Sequence, residues 1–194
     1  MNSVTFRNLG MIFMDLTLPL ESLRYLQTNQ AFLGREFLTW LWYHTESYRH
    51  EISLGELGIY KLYVDDRLVL SSSSGSAHEQ ALRGGTPAYA AEALVALQSG
   101  KLVHEAKFIL QDQERQWMWS MKADDLALRS VRLPAVQAPD ASTHMQARIA
   151  NTQLLVDVVE TLFKRYLEIR LSPKFAQELQ AIQEWMASKQ TSLA

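Results

Sequence analysis

The sequence contains no cysteine, which removes several kinds of chemistry. Without thiols the chain cannot form disulfides, bind a metal through thiolates or use a cysteine nucleophile, and a reducing compartment suits it. No apolar run approaches the roughly 20 residues that a transmembrane helix needs. Segment Leu9–Leu20 is apolar, but Asp15 interrupts it, and neither a basic start nor a small-residue cleavage site frames it. We therefore expect a cytoplasmic protein without a signal peptide or a membrane segment.

An excess of charge of either sign is also missing. The 19 Lys and Arg residues and the 21 Asp and Glu residues give a formal net charge of −2. This balance argues against a surface that binds nucleic acid everywhere, although a local basic stripe is compatible with it because binding follows the distribution of charge. The 194 residues suffice for one sizeable core, and the hydrophobic fraction of 47% is that of a globular protein.

Apolar residues recur at helical spacing in several segments. In QAFLGREFLTWLWYHTES, residues 30–47, Leu33, Phe37, Trp40 and Leu41 fall on one wide face, which predicts a buried helix at 31–45. The alternative for these rings is an aromatic surface that stacks a ligand or a nucleobase. Further helices are predicted at 20–27 after Pro19, at 87–99 before Gly100, at about 142–170, and at 173–188 with Ser172 as its N-cap.

Alternating apolar and polar residues predict an antiparallel sheet from about 57 to 133. Asp65-Asp66 separates two short runs, which indicates a first hairpin, and a second pairs the strand through 102–110 with Trp117, Trp119 and Met121. Residues 134–140 have the composition of a linker. We predict an α+β fold: an antiparallel sheet packed with helices in a core domain at 1–133, followed by two C-terminal helices in a segment at 141–194. That segment either packs on the core or forms a dimer interface.

No residue pattern indicates catalysis. The five histidines include no pair at i and i+4, and HEAKF, residues 104–108, has Phe108 where a zinc protease has its second ligand. Asp65-Asp66 and Asp124-Asp125 are predicted to lie in turns rather than to share a proton or a metal. SSSSGS lacks the setting of a nucleophile elbow, and RGGTP lacks the lysine of a phosphate loop. We expect no catalytic residue, no metal site and no cofactor.

Several motifs in order resemble one known family. These are FLGREFLTWLWYHTE, YVDDRLVL, ALRGGTP, ALQSGKLVHEAKFIL…WMWSMKADDLALRSVRLP and LFKRYLEIRLSPKF. Together they are similar to the C-terminal portion of the recombination-associated RdgC family, over roughly residues 31 to 176. The family's members are commonly longer at the N-terminus, and better-known members carry lysines where this chain has Gly84-Gly85.

The resemblance implies a cytoplasmic or nucleoid-associated protein that binds duplex DNA without sequence preference. Better-known relatives dimerise into a ring around duplex DNA and restrain RecA-dependent strand exchange, and they have been labelled exonucleases without a clear active site. It therefore implies a homodimer that acts in recombination and replication without enzymatic activity. The basic residues that could contact DNA flank strands and turns of the matching part: Arg83, Lys101, Lys107, Arg129 and Arg132.

Two alternatives to DNA binding stay open. Acidic residues in the same stretch largely match the basic ones, as on a solvated face of mixed charge. The last two helices could instead serve as a protein-interaction or assembly module without DNA binding, because a broad apolar stripe also suits helix pairing between protomers.

Overall fold

The computed structural model describes residues 30–72, 80–83 and 91–191 of the chain. The predicted helix at 20–27 and most of the loops at 71–76 and 84–87 lie outside the described residues. In the described part, a one-turn 3-10 helix at Gly55–Leu57 accompanies the following elements: α1 (Gln30–Ser47), β1 (Glu51–Ser53), β2 (Ile59–Ser71), β3 (Gln80–Arg83), α2 (Ala91–Gln98), β4 (Leu102–Gln111), β5 (Gln116–Lys122), β6 (Leu128–Arg132), α3 (Ala141–Arg170) and α4 (Phe175–Thr191).

The six strands form one antiparallel sheet in the order β1-β2-β4-β5-β6, and β3 also pairs with β2. Strand β2 is long enough that β1 pairs with its first residues and β3 with its last ones, along the same edge. Its other edge pairs with β4 over almost its whole length. With α1, α2 and the two C-terminal helices, this architecture confirms the predicted α+β class.

The predicted hairpin at Asp65-Asp66 is wrong. Strand β2 continues through both residues, and the ladder shifts register there: Val64 pairs with Phe108 and Leu68 with Ala106, so Asp65, Asp66 and Arg67 lie opposite Lys107 alone. The extra residues are absorbed as a bulge. A bulge suffices because β4 supplies ladder partners on both sides of the two aspartates, so the backbone need not reverse.

The second hairpin is confirmed. Strands β4 and β5 pair with Phe108 opposite Trp119 and Leu110 opposite Trp117. Both tryptophans are at most 1% exposed, and the rings of Phe108 and Trp119 stack with centroids 5.5 Å apart. These rings belong to the core, so base stacking on them is excluded by burial.

Helix α1 packs on the inner face of the sheet, as predicted. Phe37, Leu38 and Trp42 are fully buried, and Trp40 and Leu41 are 2% exposed. Thr39 fixes the helix to the sheet because its Oγ1 accepts a hydrogen bond from the backbone N–H of Val103, at 3.0 Å. The N-terminal part of the helix lies very close to the chain that follows β5. A Cβ added at Gly34 would therefore overlap the carbonyl oxygen of Ala123.

The C-terminal helices share this core. Asp140 caps α3 by accepting the Thr143 N–H, and the second half of α3 buries an apolar stripe: Leu155, Val158, Val159, Leu162, Phe163, Tyr166 and Leu167. Helix α4 begins at Phe175, after a turn in which Ser172 Oγ accepts the N–H of Lys174. Its Ile182 and Trp185 are buried. Among the described helices, none is both long and apolar enough to cross a membrane.

Candidate functional site

One face of the sheet carries the helices and the other is largely free of them in the described part of the chain. Alternation along a strand sends neighbouring side chains to opposite faces. On β4 and β5, therefore, Phe108, Trp117 and Trp119 point to the core, whereas Lys107, Ile109 and Met118 lie on the second face and are partly exposed. We call this second surface the open face.

Three of the five basic residues predicted to contact DNA lie on the open face. Lys107, Ser120 and Arg129 pair in one row across β4, β5 and β6, and Arg132 lies in the neighbouring row opposite Met118. Arg129 and Arg132 can share a face although their spacing is odd because the ladder shifts between Met118 and Ser120, where Ser130 has a φ of 51°.

The other two predicted residues are placed differently. Lys101 lies between α2 and β4, beside the helices, and its Nζ donates to Gln80 Oε1 at 3.4 Å. It is therefore not part of the open face. The backbone of Arg83 pairs with that of Arg67 at the end of β3, and the Arg83 side chain lies outside the described residues.

The open face also holds three basic residues outside the predicted set. Lys61 pairs with Gln111, Lys122 pairs with Glu105, and the Arg67 guanidinium reaches the Glu105 carboxylate. The alternation of β2 and β5 is the sequence signal that could have indicated them. It was hidden in β2 because the predicted hairpin would have ended the strand before Arg67.

Carboxylates partner most of these cations. Lys107 Nζ lies 2.6 Å from Asp65 Oδ2 and 2.9 Å from Asp66 Oδ1, inside the bulge. These hydrogen bonds raise the pKa of Lys107, and the bond from Lys107 lowers the pKa of Asp66. The two aspartates therefore form ion pairs with Lys107, and they neither share a proton nor lie in a turn.

The remaining pairs follow the same pattern. Glu105, with its side chain 9% exposed, lies between Arg67 and Lys122, and Arg129 pairs with Asp125 from the turn before β6. Arg132 is exposed, and the structure gives it no carboxylate partner among the described residues. Of the six basic residues placed on the open face, four thus pair with carboxylates, which are Asp65, Asp66, Glu105 and Asp125.

A second polar cluster connects α1 to α4. Glu178 Oε1 accepts hydrogen bonds from Trp40 Nε1 at 2.9 Å and from His44 Nε2 at 2.6 Å. Burial lowers the pKa of His44 by more than the hydrogen bond to Glu178 raises it, so the ring is neutral near pH 7 and carries its proton on Nε2. The sequence gives no signal for this contact, because its partners are far apart along the chain.

Metal binding has little support from the described residues. No group of three or more His, Asp or Glu side chains in them is arranged to hold a metal ion. Asp124 and Asp125 lie in a turn, as predicted. His104 is largely buried, with Nδ1 3.8 Å from Asp124 Oδ1, which is a structural contact.

Comparison with known proteins adds no assignment. The sequence matches no known protein-family model and no curated protein. The resemblance to the RdgC family therefore stays a prediction.

Proposed function

We propose that this chain binds duplex DNA without sequence preference and without enzymatic activity, as an RdgC-like protein of recombination and replication. In this proposal it is a cytoplasmic homodimer that associates with the nucleoid. The observation that supports DNA binding is the gathering of Lys107, Arg129 and Arg132 on the open face. Lys61, Arg67 and Lys122 join them there.

Phosphate groups can compete for these cations. Exposed ion pairs contribute only about 0–1 kcal/mol each, because water and salt screen them. The pair of Lys107 with Asp66 and that of Arg129 with Asp125 are both partly exposed. A DNA backbone with closely spaced charges can therefore replace the carboxylates, and it releases counterions when it does so. Arg132 has no carboxylate partner among the described residues, so a phosphate can bind it without replacing one.

Such binding is tested by fluorescence anisotropy with a labelled duplex of about 30 base pairs at several salt concentrations. With Z phosphate contacts, the log–log slope of affinity against salt approaches about −0.9Z. We expect a shallow slope, from about two to four contacts, because carboxylates already partner four of the six cations on the open face. Two duplexes of unrelated sequence should bind alike, since contacts to phosphate carry no sequence information.

A matched control tests whether DNA binding depends on the open face or on any exposed basic residue. Arg132→Ala should weaken binding and reduce the slope by roughly 1. Arg148→Ala removes an exposed arginine from helix α3, which is not one of the strands of the open face, and should change neither quantity. Absence of binding at low salt, or equal effects of the two substitutions, would refute DNA binding through the open face.

A second candidate function, assembly through the C-terminal helices, is supported by a different observation. Met145 and Ile149 lie one helical turn apart on α3 and are 59% and 62% exposed. They belong to the first ten residues of the helix, nearly all of which are exposed, whereas its second half is packed in the core. An apolar pair on a projecting helix suits a helix of a second copy.

Sedimentation equilibrium tests assembly on the intact chain. Truncation after Pro139 is unsuitable because it would remove Leu155, Phe163 and Tyr166 from the core. The double substitution Met145→Gln and Ile149→Gln changes only exposed side chains, and we expect it to turn a dimer into a monomer. A monomeric wild-type chain, or a dimer that survives both substitutions, would refute this use of α3. If the double variant is monomeric and still binds DNA, the two functions are separate.

A further inference from the structure

A cavity of about 140 Å³ lies where the four helices meet beside the start of β4. Its lining is mainly apolar, and each helix contributes to it: Trp40, Leu97, Tyr166, Phe175, Ile182 and Met186. Small-molecule sites have this composition, with a few polar groups that fix the orientation of the ligand. An apolar cavity of about 150 Å³ is large enough to hold benzene, as an engineered protein cavity shows.

Glu36, the negatively charged residue at this cavity, already has hydrogen-bond donors. Glu36 Oε2 accepts a hydrogen bond from the Tyr166 hydroxyl at 3.0 Å and one from Arg170 Nε at 2.8 Å. Burial, together with the nearby Glu36 carboxylate, raises the pKa of Tyr166, so its hydroxyl stays a neutral donor. The charge of Glu36 is therefore compensated inside the protein.

Lys101, the positively charged residue at this cavity, has weaker hydrogen-bond partners than Glu36 has. Lys101 lines the cavity, and the partner that the described residues give its Nζ is the neutral amide oxygen of Gln80, at the long distance of 3.4 Å. An ammonium group can make three hydrogen bonds, and its bonds to anions are shorter and stronger than those to neutral oxygens. Among the described residues that line the cavity, Lys101 is therefore the charged group without an ionic partner.

We propose that this cavity binds a small carboxylic acid whose apolar body is about the size of benzene. The body lies among Trp40, Leu97 and Ile182, and the carboxylate accepts hydrogen bonds from Lys101 Nζ. Because the lining includes α4 as well as α1 and α2, a bound ligand joins α4 to the rest of the helical layer. This site is separate from the open face and does not depend on DNA binding.

The probes are 4-fluorophenylacetate and its uncharged amide, followed by ¹⁹F NMR on the full chain. We expect the acid to bind roughly ten-fold more tightly than the amide, because only the acid forms a charge-assisted hydrogen bond with Lys101. Lys101→Met should remove this preference while the amide still binds. Lys107→Met is the matched control, since it removes a lysine of the open face, and it should leave both affinities unchanged.

Blocking the cavity tests its location. Leu179 lines it and is 41% exposed, so Leu179→Trp should weaken binding of both probes at least ten-fold. Gln183→Trp, at another exposed lining position, serves if the first variant does not fold. Equal affinity for acid and amide in the wild type, or an acid preference that survives Lys101→Met, overturns the proposal. Absence of binding at millimolar probe concentration, or binding unaffected by a folded blocking variant, overturns it as well.

Discussion

Replacing Gly34 by alanine should destabilise the protein although alanine favours helices. In the interior of a helix, alanine is better than glycine by about 1 kcal/mol. At this position, however, the added Cβ would overlap the backbone carbonyl of Ala123, which cannot rotate away as a flexible side chain could. Overpacking costs typically about 1–3 kcal/mol, and contact with backbone places Gly34→Ala near the upper end. The net loss should be about 2 kcal/mol.

Urea denaturation followed by circular dichroism measures this loss. With a slope of about 2 kcal/mol per M, typical of small proteins, the midpoint should fall by about 1 M. The matched control is Ala150→Gly, the reverse substitution at an exposed position of α3, which should cost about 1 kcal/mol through helix propensity alone. Opposite substitutions should thus both destabilise. A Gly34→Ala variant more stable than the wild type would refute the close approach of α1 to Ala123.

Three further predictions concern the core, the buried histidine and the bulge. Trp40→Ala should lower the free energy of unfolding by about 3–5 kcal/mol, because it empties a buried site and leaves Glu178 without its indole donor. The control Tyr48→Ala removes an exposed ring and should have a small effect. Urea denaturation measures both. Burial holds the pKa of His44 below its ordinary value of 6.5, so at pH values below 6.5 the unfolded chain binds a proton that the folded chain does not. The free energy of unfolding should therefore decrease between about pH 7 and pH 5, less steeply in His44→Gln, and identical slopes in urea titrations would contradict this. Changing both Asp65 and Asp66 to Asn frees Lys107, so anisotropy should show stronger DNA binding and a salt slope steeper by up to about 1.

The sequence was sufficient for the elements whose periodicity is strong. The alternation around Phe108 and Trp119 predicted β4 and β5, and the apolar stripe from Leu155 to Tyr166 predicted α3. It failed at Asp65-Asp66 because two adjacent acids look like a turn unless one knows that Lys107 lies opposite them. Local propensity does not contain that cross-strand partner.

The candidate site was predictable only in part, for a related physical reason. Lys107, Arg129 and Arg132 could be selected from their position in the β region, but whether they share a face depends on the register shifts beside Ser120. Lys101 belongs to the same sequence stretch, yet it lies beside the helices, at the cavity. The contact of Glu178 with His44 and Trp40 joins distant parts of the chain, so no local pattern indicates it.

The salt dependence of duplex binding by the Arg129→Ala/Arg132→Ala double variant tests DNA binding through the open face most directly. Both arginines lie on that face in neighbouring rows, and neither side chain belongs to the core. If they contact phosphates, the log–log slope should be smaller in magnitude than that of the wild type by roughly 2, with an unchanged midpoint of unfolding. A folded double variant whose affinity and slope equal those of the wild type would contradict the proposal.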